Sequence, residues 1–161
     1  MNRAPLLLAF ASAVLLGCAS RGTEEQGSLP PLRFEQTPCF GPCAVFVLEV
    51  ESSGAAVWEV RKPFLEGPFA AFGPGTYRAQ LPSASHRAVV DAAEAVDFAK
   101  LLPRYDNPRI MDLPSTRYTV GATSVEQRYG GPDLSILTSA FFRALEVAVW
   151  QKDPSASSPQ N

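Results

Sequence analysis

Histidine is almost missing from this sequence: its 161 residues include one, His86, beside three cysteines and two methionines. Relays of the Ser-His-Asp or Cys-His kind need a base beside a nucleophile, and a lone histidine with no nucleophile motif near it serves them poorly. No G-x-S-x-G elbow, phosphate-binding glycine loop or H-E-x-x-H pair accompanies it. Charge is scarce too. Charged residues make up 19%, the formal net charge is −2, and the basic residues form no polybasic cluster, so nothing neutralises a run of phosphates or docks on anionic lipid by charge alone. Nucleic acid is therefore excluded as a partner. Also lacking is an apolar run of the ~20 residues that a bilayer-crossing helix needs. Leu6 to Leu16 comes nearest and is well short of it.

What remains is an ordinary globular composition. Apolar residues make up 46%, enough for a packed core and too many for wholesale disorder. The length suits one domain, since domains commonly run to about 100–150 residues.

The first eighteen residues look like an export leader: Arg3 supplies a positive start, Leu6 to Leu16 an apolar core, and Gly17 a small residue before Cys18. Leu15-Leu16-Gly17-Cys18 resembles the lipobox of bacterial lipoproteins. The resemblance implies that residues 1–17 are removed, and that Cys18 carries diacylglycerol on its sulfur and an acyl chain on its new amine. A cut after Ala11-Ser12-Ala13 is the alternative, but it would fall inside the apolar run. Two or three acyl chains give lasting attachment where one does not. Membrane lipid held through Cys18 is then the expected partner, with no other cofactor, and an envelope protein is a further candidate partner. Ala19, not Asp, follows the cysteine, which among such lipoproteins favours the outer membrane, facing the periplasm.

Residues 18–33 are polar and rich in turn formers, including Gly22, Gly27, Pro30 and Pro31, and read as a flexible tether. Residues 153–161, with Pro154 and Pro159 among serines, read as a disordered tail. A single domain is expected over 34–152. Within it, Ala44 to Glu51 alternates, with Phe46, Leu48 and Val50 opposite Val45, Val47 and Glu49, and Ala55 to Arg61 alternates again after a Ser52-Ser53-Gly54 turn. Thr76 to Leu81, Thr116 to Ala122 and Val125 to Tyr129 are further strands. Ser83 is expected to cap a helix running to about Phe98 and ended by Pro103, along which Val89, Ala92, Ala93 and Val96 recur at helical spacing. Pro132 and Asp133 open a second helix with the stripe Leu134, Leu137, Phe141, Leu145 and Ala148, leading to Trp150. The expected fold class is α+β: a single antiparallel sheet of about five strands, in the order β-β-β-α-β-β-α, with both helices on one face.

Cys39-Phe40-Gly41-Pro42-Cys43, leading straight into a strand, resembles the signature of an uncharacterised bacterial family known as domain of unknown function 6438: cysteine, phenylalanine, glycine, any residue, cysteine, then usually proline. Here Ala44 stands in place of that proline. Gly75-Thr76-Tyr77, the Phe98 helix end, Tyr105, Asp112-Leu113-Pro114 and the Pro132 helix extend the likeness over roughly Phe34 to Trp150. Lys62 to Gly73 is longer than the family's usual connection. The resemblance implies an architecture and no chemistry.

Export would place Cys39 and Cys43 in an oxidising compartment, and with Cys18 lipidated they have only each other, so a disulfide is expected. Four extended steps would hold their Cα atoms about 13 Å apart, too far for the bond, so Gly41 and Pro42 must turn the chain back. That staple should anchor Phe40 and set the register of Phe46, Leu48 and Val50. The sharper alternative is copper(I) or thiol chemistry through Cys39, Cys43 and His86, since C-x₃-C also resembles the ligand pair of Sco-type copper chaperones. There the pair opens a helix, whereas here it opens a strand. His86 itself reads as a surface residue near a helix start. Asp106 and Asp112 read as turn residues, not as a catalytic pair. A non-catalytic binding or assembly module is therefore preferred to an enzyme, with the apolar loop of Phe64, Phe69 and Phe72 as its candidate surface.

Overall fold

The computed structural model describes residues 28–155. The leader at 1–17, Cys18, most of the tether and the end of the tail lie outside the described residues.

The strands are β1 (Leu32–Gln36), β2 (Val45–Val50), β3 (Ala55–Lys62), β4 (Gly75–Gln80), β5 (Arg104–Tyr105), β6 (Thr116–Val120), β7 (Thr123–Gln127) and β8 (Gln151–Lys152), and the helices are α1 (Ser83–Ala95) and α2 (Ser135–Val147). All eight strands form one sheet in the order β5-β7-β6-β1-β2-β3-β4-β8. The expectation of about five strands therefore falls short. β5 and β8 are two-residue edge strands, too short to carry a period of two. β1 is the greater omission, because it lies near the middle of the sheet and pairs antiparallel with both β2 and β6. The alternation Leu32, Phe34 inward and Arg33, Glu35 outward is only a few residues long and follows two prolines, which is why it resembles tether. Nor is the sheet wholly antiparallel. β5 runs parallel to β7, because the chain crosses back over the sheet through α1 before laying it down.

One row of inward side chains crosses the strands in register: Val125, Tyr118, Phe34, Leu48, Trp58 and Tyr77. On this face lie both helices, contributing Val89, Ala93, Leu137, Phe141 and Leu145 to the same core. Phe34 stacks on Phe141 of α2 with ring centroids 4.8 Å apart. Burying an aromatic of this size is worth about 1.5–3 kcal/mol.

The outward face is an ion-pair ladder. Arg117 reaches both Glu126 and Glu35, while Arg33 reaches Glu35 and Glu49. Each such pair contributes at most about 1 kcal/mol, but together they leave these arginines already neutralised.

Ser83 does not cap α1: Pro82 occupies the N-cap, without a side-chain cap, and its carbonyl accepts from the amides of Ser85 and His86. The helix also stops at Ala95, short of Phe98, because Asp97 adopts a left-handed conformation (φ 51°), and a single 3-10 turn, Phe98–Lys100, follows. At α2, Pro132 and Asp133 stand outside the helix, and the Asp133 carboxylate accepts from the Ser135 amide at 2.8 Å. The stripe Leu134, Leu137, Phe141, Leu145 and Ala148 is buried throughout. Gly131 (φ 88°) makes the turn before α2, and a Cβ there would meet the Tyr105 ring at 2.6 Å. Beyond the helix Asp153, placed in the loose tail from sequence, is tied to β4. Its amide donates to Thr76 O and its carboxylate pairs with Arg78.

Candidate functional site

Two loops meet at the end of the sheet where β1 finishes and β6 begins. In the first, Gly41 and Pro42 turn the chain back so that Cys39 and Cys43, with Cα atoms 6.0 Å apart, are disulfide-bonded. In the second, residues 106–115, Asp106 accepts from Arg104 at 2.7 Å. That hydrogen bond, with the Arg128 charge added, holds the Asp106 carboxyl below its ordinary range despite partial burial. Arg128 also donates to Ser115 Oγ and to the Ile110 carbonyl. Asp106 is thus committed to structural arginines, while Asp112 contributes through its backbone.

The loops are laced together by their main chains. The Thr37 amide donates to Ser115 O at 3.0 Å, the Ser115 amide to Thr37 Oγ1 at 2.8 Å, and the Phe40 amide to Asp112 O at 3.2 Å. Lys62 Nζ adds a bond to Gly41 O at 2.6 Å. What this braced frame holds outward is apolar. Phe40 is 88% exposed, Met111 73% and Leu113 40%. The staple anchors the backbone of Phe40, as the small ring requires, but not its side chain, which stands in solvent. An aromatic between paired cysteines and turn formers was the signal that sequence reasoning left unused.

The loop of Phe64, Phe69 and Phe72 turns its rings toward the core. Phe69 is buried and the other two are half-buried, and all three rings pack on Trp58, with centroids 5.0–6.4 Å away. The long connection from Lys62 to Gly75 folds over the open end of the core, and its glycines and prolines shape that lid. Leu65 is the large apolar side chain it leaves exposed.

His86 likewise departs from expectation. Instead of lying at the surface it is 1% exposed, and its Nε2 donates to the Pro30 carbonyl at 2.8 Å, fastening the segment before β1 to α1. The whole of β1, about 17 Å at the usual strand rise, separates this contact from the disulfide. Cys39, Cys43 and His86 are therefore not brought together as ligands, and among the described residues no three His, Cys, Asp or Glu side chains cluster as a metal site would require.

The family model described as Domain of unknown function (DUF6438) matches residues 30–134. No curated protein and no solved structure matches the chain.

Proposed function

The chain belongs to the DUF6438 family, and from that premise we propose that it is a non-catalytic binding module, tethered to the bacterial envelope by lipid on Cys18 and presenting Phe40 to a protein partner. The exposure of Phe40 on a braced loop carries this reading. A phenylalanine ring left in water forgoes burial worth a few kcal/mol, and an anchor already held in place loses little entropy when it docks. Met111 and Leu113 widen the same apolar tip. Residues 1–17 act as the export leader, and the tether read over residues 18–33 gives way to β1 at Leu32. The tether joins the domain at Pro30, the opposite end of β1 from Phe40, so the tip lies at the far end of the sheet from the point of attachment. An outer-membrane location facing the periplasm suits a tip aimed inward at soluble or inner-membrane proteins.

A photocrosslinking residue in place of Met111, introduced in the native host, tests the surface. A discrete adduct that Phe40→Ser abolishes, and that the same probe in place of Ser124 on the outward sheet face does not form, is the expected result. The absence of any adduct at residue 111, or one indifferent to Phe40→Ser, would overturn the surface. Anchoring is tested separately: Cys18→Ser should move the chain from the membrane fraction or stall its processing.

A further inference from the structure

The helix layer presents a second surface. α1 starts beside β4 and α2 ends where Trp150 packs on Trp58. The two helices therefore run oppositely across the sheet, and between their outward sides lies a groove of about 570 Å³. Its walls are apolar. Ala88 and Ala95 of α1 keep it open, and Ile136 and Val147 of α2, 51% and 54% exposed, stand along it. The groove contains two charged side chains, Asp91 on α1 and Arg143 on α2, both exposed. Neither has an ion-pair partner among the described residues, a state they share with Arg87, Glu94 and Glu146 on the same helices, but Asp91 and Arg143 are the charges that line the groove.

We infer that this groove is the contact face of a homodimer, each copy setting its Asp91 against the other's Arg143. One acid and one base on a single face make that face complementary to itself. A two-fold axis lying in the contact plane, between the helices, carries Asp91 of one copy over Arg143 of the other and the reverse pair with it, as an isologous interface demands. Two unlike charges left by a foreign partner's surface would each need a separate match, whereas a second copy satisfies both at once. The alanines let the opposing Ile136 and Val147 side chains sink between the helices. Each helix is about 20 Å long, with axes about 8–10 Å apart, so the area falls below that of standard stable interfaces and the dimer is a weak, transient one, dissociating at micromolar concentrations or above. This inference does not depend on the tip at Phe40.

Sedimentation equilibrium of the full chain in detergent, corrected for bound detergent, tests it. The wild type should dimerise reversibly. Arg143→Asp and Asp91→Arg, each placing like charges opposite one another twice, should weaken the dimer by about tenfold or more, and the double variant should restore it. Both side chains are exposed, so unchanged thermal melting confirms that each variant is folded. A monomer at every concentration up to about 100 µM, a dimer indifferent to the single reversals, or a double variant no better than the singles would overturn the inference. So would a monomer whose groove crosslinks in the host only to a different polypeptide.

Discussion

The Phe40 amide donates to the Asp112 carbonyl at 3.2 Å, so a residue within a disulfide ring and a residue seventy-two positions further along share one rigid corner. The two loops brace each other, and the apolar side chains beside that bond are held outward by structure that costs nothing further to order. Loss of the ring should therefore be felt on both loops.

Replacing Cys39 and Cys43 together by alanine should lower the melting temperature by several degrees. A ring this small is worth about 2 kcal/mol of chain entropy, and its loss also loosens the 106–115 loop through the Phe40–Asp112 bond. Thermal unfolding followed by circular dichroism measures it. Unchanged melting would mean that the ring braces nothing.

Phe69→Ala should cost about 3–5 kcal/mol, because the ring is buried against Trp58, Phe64 and Phe142 and its removal leaves a cavity. Leu65→Ala, four residues earlier and exposed, should change stability by less than about 0.5 kcal/mol. Urea unfolding of the two variants compares them directly. Equal effects would return this loop to the surface.

His86→Ala removes the donor to the part-buried Pro30 carbonyl and empties a buried site, and should cost about 1–3 kcal/mol. The neighbouring Pro31 carbonyl accepts from the Gly121 amide, so that amide should exchange its hydrogen faster once the segment is freed. Exchange at Gly121 as slow as in the wild type would show that the histidine does not fasten this strand.

Asp153 connects the sheet edge to pH. Hydrogen bonds from Ser155, then Arg78, hold its carboxyl well below the ordinary carboxylate range. A carboxyl depressed in the folded state contributes stability above its unfolded value of about 3.9, and that contribution disappears as pH falls through the folded value. Melting temperature should therefore be flat at neutral pH and fall below about pH 4, and Asp153→Asn should lower the neutral-pH value while flattening the acid side of the curve. An Asn variant with the wild-type acid slope would assign the sensitivity to other carboxylates.

Much of the fold was legible because it is written in local periods. Phe46, Leu48 and Val50 opposite Val47 and Glu49 announce a strand whichever strands flank it, and Leu137, Phe141 and Leu145 announce a helix with one buried side. The disulfide partners, too, could be named from sequence, since a lipidated Cys18 would leave only these two thiols, and glycine and proline between them permit the return that the bond requires. β1 was less legible because its alternation is brief, and because its worth lies in neighbours that come from distant parts of the chain.

The sequence by itself therefore determined the α+β class, the α2 stripe, the strands from β2 to β4 and the membership in DUF6438. The tertiary structure alone decided which apolar side chains went inside. Phe69 and Phe40 are the same residue type in loops of similar composition, yet one is covered by Trp58 and Phe142 and the other stands in water. The difference arises because burial depends on what the rest of the chain sets opposite a side chain: the Lys62 connection is long enough to fold back over the core, whereas the disulfide ring stands at the end of the sheet with nothing packed over Phe40.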